Sequence, residues 1–214
     1  MVQTPPKPTT ATTLALNLPR ELRSIVTPEQ FEALAASNRD LQLERTAQGE
    51  LIVNPPTGWQ AGKRNRGISG ELYLWWRNAG EPGEVFESST GFTLPNGANR
   101  LRSAQCQGQS PDASWVSQAR WDALTPEQKG TFAEICPDFV VELRSESDTL
   151  KGLQAKMVEY MANGAQLGWL LNPKQRTVAV YRPNAAVEIL KDPATVSGES
   201  VLPGFALDLK RVWS

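Results

Sequence analysis

Residues 137–148 read PDFVVELRSESD, an apolar strand signal broken by one carboxylate, Glu142. Side chains alternate faces along a strand, so Asp138, Glu142 and Arg144 point one way while Phe139, Val141 and Leu143 point the other. The Phe-Val-Val content predicts an internal strand, where a carboxylate without a partner is expensive. Compensation must come from a cation, a strong hydrogen-bond donor or a metal. Immediately downstream, Leu150, Leu153, Met157, Tyr160 and Met161 share one face at helical spacing, and Asn163-Gly164 closes the segment, which predicts a docked amphipathic helix over 149–163. The apolar run at 166–171 then completes a strand, helix, strand unit. Lys156 lies off the apolar stripe, one turn from Tyr160, at an edge from which a lysine either reaches over a sheet or snorkels to water.

Outward from this unit, 177–181 and 187–190 predict two more strands, separated by the turn residues Pro183-Asn184. Upstream, Pro111-Asp112 leads into a strand at 113–116, and a short helical insert is expected around Thr125-Pro126-Glu127. Strands are expected at 84–86 and 91–94, with a polar loop over 96–110 that carries Arg100 and Arg102. Ile68, Leu72 and Trp75 or Trp76 mark a helix from about Gly67 to Asn78, with Arg64, Arg66 and Arg77 flanking it. Leu41–Arg45 and Leu51–Val53, joined through Gly49, predict a hairpin with Glu44 on its first strand. Thr27-Pro28-Glu29-Gln30 is a helix start, with a hydroxyl cap, Pro at the first helical position and Gln three residues after the cap. Residues 1–18 are too rich in Thr and Pro to bury much apolar surface and predict a loose tail. The order is mixed, so the expectation is a single α/β domain over 19–214 built on a mixed sheet flanked by helices.

The chain has 214 residues, 40% of them hydrophobic, with 22 basic and 23 acidic side chains for a net charge of -1. No global field draws it to nucleic acid, so any such attraction must be local. It contains no histidine, which excludes Ser-His and Cys-His hydrolases, HExxH zinc proteases and His-metal nucleases. The two cysteines, Cys106 and Cys136, make neither a zinc ribbon nor a disulfide scaffold. No signal segment and no membrane span is evident, which predicts a cytoplasmic protein.

Asp112, at the mouth of one strand, and Glu142, within another, supply two carboxylates. With a main-chain carbonyl, that of Leu143, they would form an oxygen-rich site suited to Mg²⁺, which keeps several waters and takes few protein ligands. The plainer alternative is that Glu142 forms an ion pair with Arg144 of its own strand or Lys156 of the following helix. A carboxylate-pair glycoside hydrolase also needs no histidine, and Trp59, Trp115 and Trp121 near turns keep it in view.

Taken in order, Pro111-Asp112, the 137–148 block, Lys156-Met-Val-Glu-Tyr160, Asn163-Gly-Ala165, Trp169-Leu-Leu-Asn-Pro173 and Thr177-Val-Ala-Val-Tyr181 resemble the Uma-type family of restriction-endonuclease-like proteins in the PD-(D/E)XK nuclease superfamily. The similarity runs from about Thr27 through Leu202-Pro-Gly-Phe-Ala-Leu207. It implies a restriction-endonuclease-like fold, a Mg²⁺- or Mn²⁺-dependent site, DNA as substrate and a homodimer as a compatible assembly. Carried over by position, Asp112 is the Asp of the Pro-Asp half-motif, Glu142 the second acidic residue, Lys156 a lysine moved from strand to helix, and Glu44 an additional carboxylate. Asp138 lies in a second matching Pro-Asp, so the two aspartates remain alternatives. Two departures stand out. The family often carries a His after the early Pro-rich turn; here 55–66 has none, and Lys63 or Arg64 is the nearest polar substitute. Arg144 occupies the lysine position of the simple Glu-x-Lys form, where it would assist phosphate charge but serve poorly as a base. Lys63, Arg64, Arg66, Arg100 and Arg102 are the candidate phosphate contacts. The departures leave a second possibility, a catalytically silent nuclease-like protein that binds nucleic acid or a protein partner.

Overall fold

The computed structural model describes residues 25–38, 42–46, 49–54, 58–95, 108–109, 111–130, 134–146 and 148–214. The tail expected for 1–18, Cys106, Arg100 and Arg102 lie outside them. In chain order the elements are α1 (Pro28–Ser37), β1 (Gln42–Arg45), β2 (Leu51–Asn54), α2 (Trp59–Asn78), β3 (Glu84–Glu87), β4 (Phe92–Thr93), β5 (Gly108–Gln109), β6 (Ala113–Val116), α3 (Gln118–Asp122), α4 (Pro126–Lys129), β7 (Phe139–Leu143), α5 (Leu150–Ala162), β8 (Leu167–Asn172), β9 (Thr177–Tyr181), β10 (Glu188–Lys191), β11 (Thr195–Ser197), β12 (Ala206–Asp208) and α6 (Lys210–Trp213).

Six strands form the central sheet, in the order β10-β9-β8-β7-β6-β3. The β7–β8 pair is parallel, bridged by α5, and the other pairs are antiparallel. β7 is fully buried, as its continuous apolar run requires. Its alternation divides the core in two. Phe139, Val141 and Leu143 pack with Trp169 and Leu171 toward α2, through Ile68 and Leu72, and toward the chain end, through Phe205, Leu207 and Val212. Val140 and Leu170 face α5, with Met157 and Tyr160, and also Phe92 and Leu94. Glu142 shares the parity of Val140 and therefore belongs to the α5 face. On that face Gly168 of β8 lets the helix lie close, because a Cβ there would stand 2.4 Å from the Met157 ε-carbon and 3.3 Å from a Val140 γ-carbon.

Local signals explain most boundaries. Thr27 caps α1 reciprocally with Gln30, and Thr125 and Gln128 make a capping box on α4. Thr149 accepts the Gly152 N–H at the start of α5. The hairpin forms, with Glu44 opposite Ile52. Several elements differ from expectation, including α3, which no sequence signal announced. α2 begins at Trp59, eight residues before the expected start near Gly67, because its first two turns carry no core residue to reveal the periodicity. The polar loop contains β5, paired with β4, where Gly108-Gln109 has no strand propensity of its own. β11, β12 and α6 also lack strong signals; they are short and are recruited by packing around Phe205 and Leu207. No described helix is long and apolar enough to cross a membrane.

Candidate active site

Asp112, Glu142 and Lys156 come together where β6 begins, β7 ends and α5 passes over the sheet. The register pairs Ala113 with Val141, and the Asp112 N–H donates to the Val141 carbonyl at 3.0 Å. One further step along the ladder sets the Asp112 backbone beside that of Glu142. The Asp112 side chain then finishes the ladder: Oδ2 accepts the Leu143 N–H at 2.7 Å. Its other oxygen, Oδ1, accepts from the Asn65 side-chain amide of α2 at 2.7 Å.

Glu142 is 3% exposed. Its Oε1 accepts the Tyr160 hydroxyl at 3.0 Å and lies 3.0 Å from Lys156 Nζ. Tyr160 and Lys156 are four residues apart on α5, the spacing that stacks side chains on one helix face. The costly buried carboxylate anticipated in β7 is thus compensated by one cation and one strong donor.

Electrostatics distinguish Asp112 from an ordinary surface carboxylate. Burial pushes its carboxyl above the usual range, against the lowering influence of the Leu143 N–H, the Lys156 ammonium and the Asn65 amide, while nearby Asp148 pushes it further up. Around the rim, the Glu146 carboxyl is held below its usual range by Lys174, 2.7 Å away, with smaller contributions from Arg144 and Arg64. Arg144 and Arg64 each have a buried Nε with no hydrogen-bond partner among the described residues. Cys136 is no candidate for chemistry, because burial pushes its thiol up to about 12.

A family model described as "Uma2: Putative restriction endonuclease" matches residues 28–210. The chain belongs to the Uma2 family. No curated protein matches the chain. Among solved structures, a crystal structure described as a putative nuclease belonging to DUF820 from Anabaena variabilis ATCC 29413 superposes with a TM-score of 0.70 at 20% identity, covering 88% of this chain and 97% of that one. That likeness establishes the mixed α/β fold that this Uma2 chain shares with it.

Against the expectations for a Uma2 protein, the two Pro-Asp aspartates separate clearly. Asp138 sits at the opposite end of β7, about 13 Å along the strand from Glu142 at 3.3 Å per residue. There it accepts the Ser117 N–H at 2.8 Å and pairs with Arg120 at 2.8 Å, anchoring α3. Leu143 presents its N–H to Asp112, and because N–H and C=O of a strand residue point to the same edge, its carbonyl also faces the β6 side. Glu44 lies on β1, and its side chain falls outside the described residues. Lys63 and Arg66 are exposed on α2, while Arg64 donates to the Ser214 carbonyl at 3.1 Å.

Asn65 and Tyr160 are the residues that sequence reasoning missed. Asn65 stands one position from Arg64 and two from Lys63, the substitutes considered for the absent histidine, and it is the residue of that segment that reaches Asp112. Extending α2 backward to Trp59 at helical spacing would have put Asn65 near the Ile68 and Leu72 side and so toward the sheet. Tyr160 looked like core because it is apolar over most of its surface. A buried tyrosine hydroxyl nevertheless needs a partner, and Glu142 is the one at hand.

Proposed function

We propose that this protein is a divalent-metal-dependent endonuclease that hydrolyses DNA phosphodiester bonds. The observation that carries the proposal is the meeting of Asp112, Glu142 and Lys156 at one end of the interior β6–β7 pair, each held by its own donor or partner. The donor set suits a hard cation. It consists of oxygens alone, and a cation beside Asp112 would offset the burial that disfavours its charge. Among the described residues no group of three or more His, Cys, Asp and Glu is arranged to hold a metal ion. Two carboxylates and the Leu143 carbonyl are the groups that would hold Mg²⁺ or Mn²⁺, an ion that takes few protein ligands and keeps several waters. When bound, the ion supplies a water of lowered pKa and polarises the phosphoryl oxygen.

The chain's own groups do the rest. Asn65 and the Leu143 N–H fix both oxygens of Asp112, and Tyr160 fixes Glu142. Lys156 sets a positive charge beside the carboxylates, where negative charge develops on the phosphoryl group during attack. Arg144 and Arg64, both half-buried, would add positive charge for flanking phosphates through their guanidinium ends.

Cleavage of supercoiled, linear and single-stranded DNA with Mg²⁺ or Mn²⁺ tests the proposal, and Asp112→Ala with Glu142→Ala is expected to abolish both cleavage and metal binding. Intact DNA in all three assays, under conditions where calorimetry detects bound metal, would overturn it. The Lys156–Glu142 ion pair is also what a silent nuclease-like protein would use to neutralise its core; in that case calorimetry detects no Mg²⁺ or Mn²⁺ binding.

A further inference from the structure

Among the described residues, one face of α2 is turned away from the core and the site, with only Tyr73 tilting inward against Trp76 at 5.4 Å between ring centroids. At 3.6 residues per turn, Trp59, Lys63, Arg66, Gly70, Tyr73 and Arg77 fall within about 40° of a single line along the helix. Trp59 is 96% exposed and Tyr73 45%, and the three cations are exposed as well. The helix has one acidic residue, Glu71, which lies off this line and accepts the Asp208 N–H at 2.9 Å. Arg77 pairs with Glu81 beyond the helix end at 3.6 Å, with both side chains more than half exposed, a contact weak enough to yield to another anion. Among the described residues a Cβ at Gly70 would meet nothing within 4 Å, which leaves room for a ligand to approach the backbone there.

An ordinary solvated face would mix carboxylates with its cations and would not display a tryptophan. A self-complementary contact with a second copy would oppose cations to cations, since no carboxylate on the stripe can answer them. A polyanion that also offers flat apolar surfaces fits both halves of the pattern. We propose that the outer face of α2 is a track for single-stranded DNA: Lys63, Arg66 and Arg77 pair with phosphates, and Trp59 and Tyr73 stack on unpaired bases. The choice of DNA rests on the nuclease proposal. The same helix holds Asp112 through Asn65, between Lys63 and Arg66 in sequence. Asn65 lies about 120° round the helix from the stripe, so the track runs along the side of α2 turned away from Asp112, and from Trp59 to Arg77 it spans about 27 Å at 1.5 Å per residue.

The test is fluorescence anisotropy of the full chain with a labelled single-stranded oligonucleotide and its duplex, in EDTA, across a salt series. Urea unfolding of each variant confirms that these surface substitutions leave the fold intact. Lys63→Ala/Arg66→Ala/Arg77→Ala is expected to weaken single-strand binding and to lower its salt slope by about 2, at about 0.7 per phosphate contact. Trp59→Ala/Tyr73→Ala is expected to weaken it at least about fivefold for each base no longer stacked, with little change on the duplex. Unchanged affinity in both variants would overturn the track, and equal losses on duplex and single strand from the aromatic pair would overturn the single-strand assignment. If the aromatic pair converts a dimer to a monomer in sedimentation while DNA binding is unchanged, the face is a self-contact and the proposal fails. Binding that follows the stripe in a protein that never cleaves DNA with metal would overturn the nuclease proposal and leave the track standing.

Discussion

At Asp112 two short hydrogen bonds secure a carboxylate whose surroundings disfavour its charge. The linkage has a definite sign. A carboxyl raised in the folded state keeps its proton to a higher pH than in the unfolded chain, where it titrates near 3.8. The contribution is fully present below that value and is lost as pH rises through the raised folded value. In metal-free buffer Asp112→Asn should therefore gain stability relative to wild type as pH increases from 4 toward neutrality. Urea midpoints across that range check this, and parallel curves would contradict it. The variant also keeps its contacts, because the Asn65 amide can turn its Oδ1, which has no partner among the described residues, toward the new NH₂ group. Asn65→Ala removes the donor to Oδ1 without touching the carboxylate. On the proposed function it should reduce metal affinity about 10- to 100-fold, as loss of a ligand's supporting hydrogen bond does, measured by calorimetric titration.

Among the elements, α5 delivers two side chains to one carboxylate and owes its position to its cap and to Gly168. Thr149→Ala removes the hydroxyl that accepts the Gly152 N–H at 3.2 Å and should cost about 1 kcal/mol in urea unfolding. Removing Lys156 while Glu142 stays charged is a larger change. With Glu142 3% exposed, Lys156→Met should destabilise the fold by about 3–5 kcal/mol, the range for breaking a buried pair. Adding Glu142→Gln should restore much of that loss, since the neutral amide no longer needs a counter-charge and still accepts from Tyr160. A double variant no more stable than the single one would mean that Lys156 acts through packing alone.

Across the whole molecule, the chain end closes the face of the sheet opposite α5. Phe205 stacks on Trp169 at 5.8 Å between ring centroids and meets Phe139 and Trp75 edge-on or tilted. Phe205→Ala should cost about 3–5 kcal/mol, although the residue belongs to a stretch of two short strands and a single-turn helix. Metal couples to the same global stability on the proposed function. Mg²⁺ at 100 times its dissociation constant should stabilise the wild type by about 2.7 kcal/mol. It should leave the Asp112→Asn/Glu142→Gln protein unmoved, as thermal unfolding with and without EDTA would reveal.

The Phe-Val-Val-Glu-Leu run, the stripe of α5 and the block order from Pro111 to Tyr181 were enough to determine a mixed α/β protein and its family, and to nominate Glu142, Lys156 and one of two Pro-Asp aspartates as candidates. Those signals are periodic or local and survive without coordinates. The choice between Asp112 and Asp138 was different in kind. Both sit in Pro-Asp pairs before a strand, and the antiparallel register of β6 on β7 alone puts one beside Glu142 and the other at the far end, bonded to Ser117 and Arg120. Asn65 and Tyr160 likewise emerge from contacts between segments distant in the chain, and the outer face of α2 from what the described packing leaves exposed. A side chain's partner across a fold is set by three-dimensional proximity, which no pattern along a single sequence encodes.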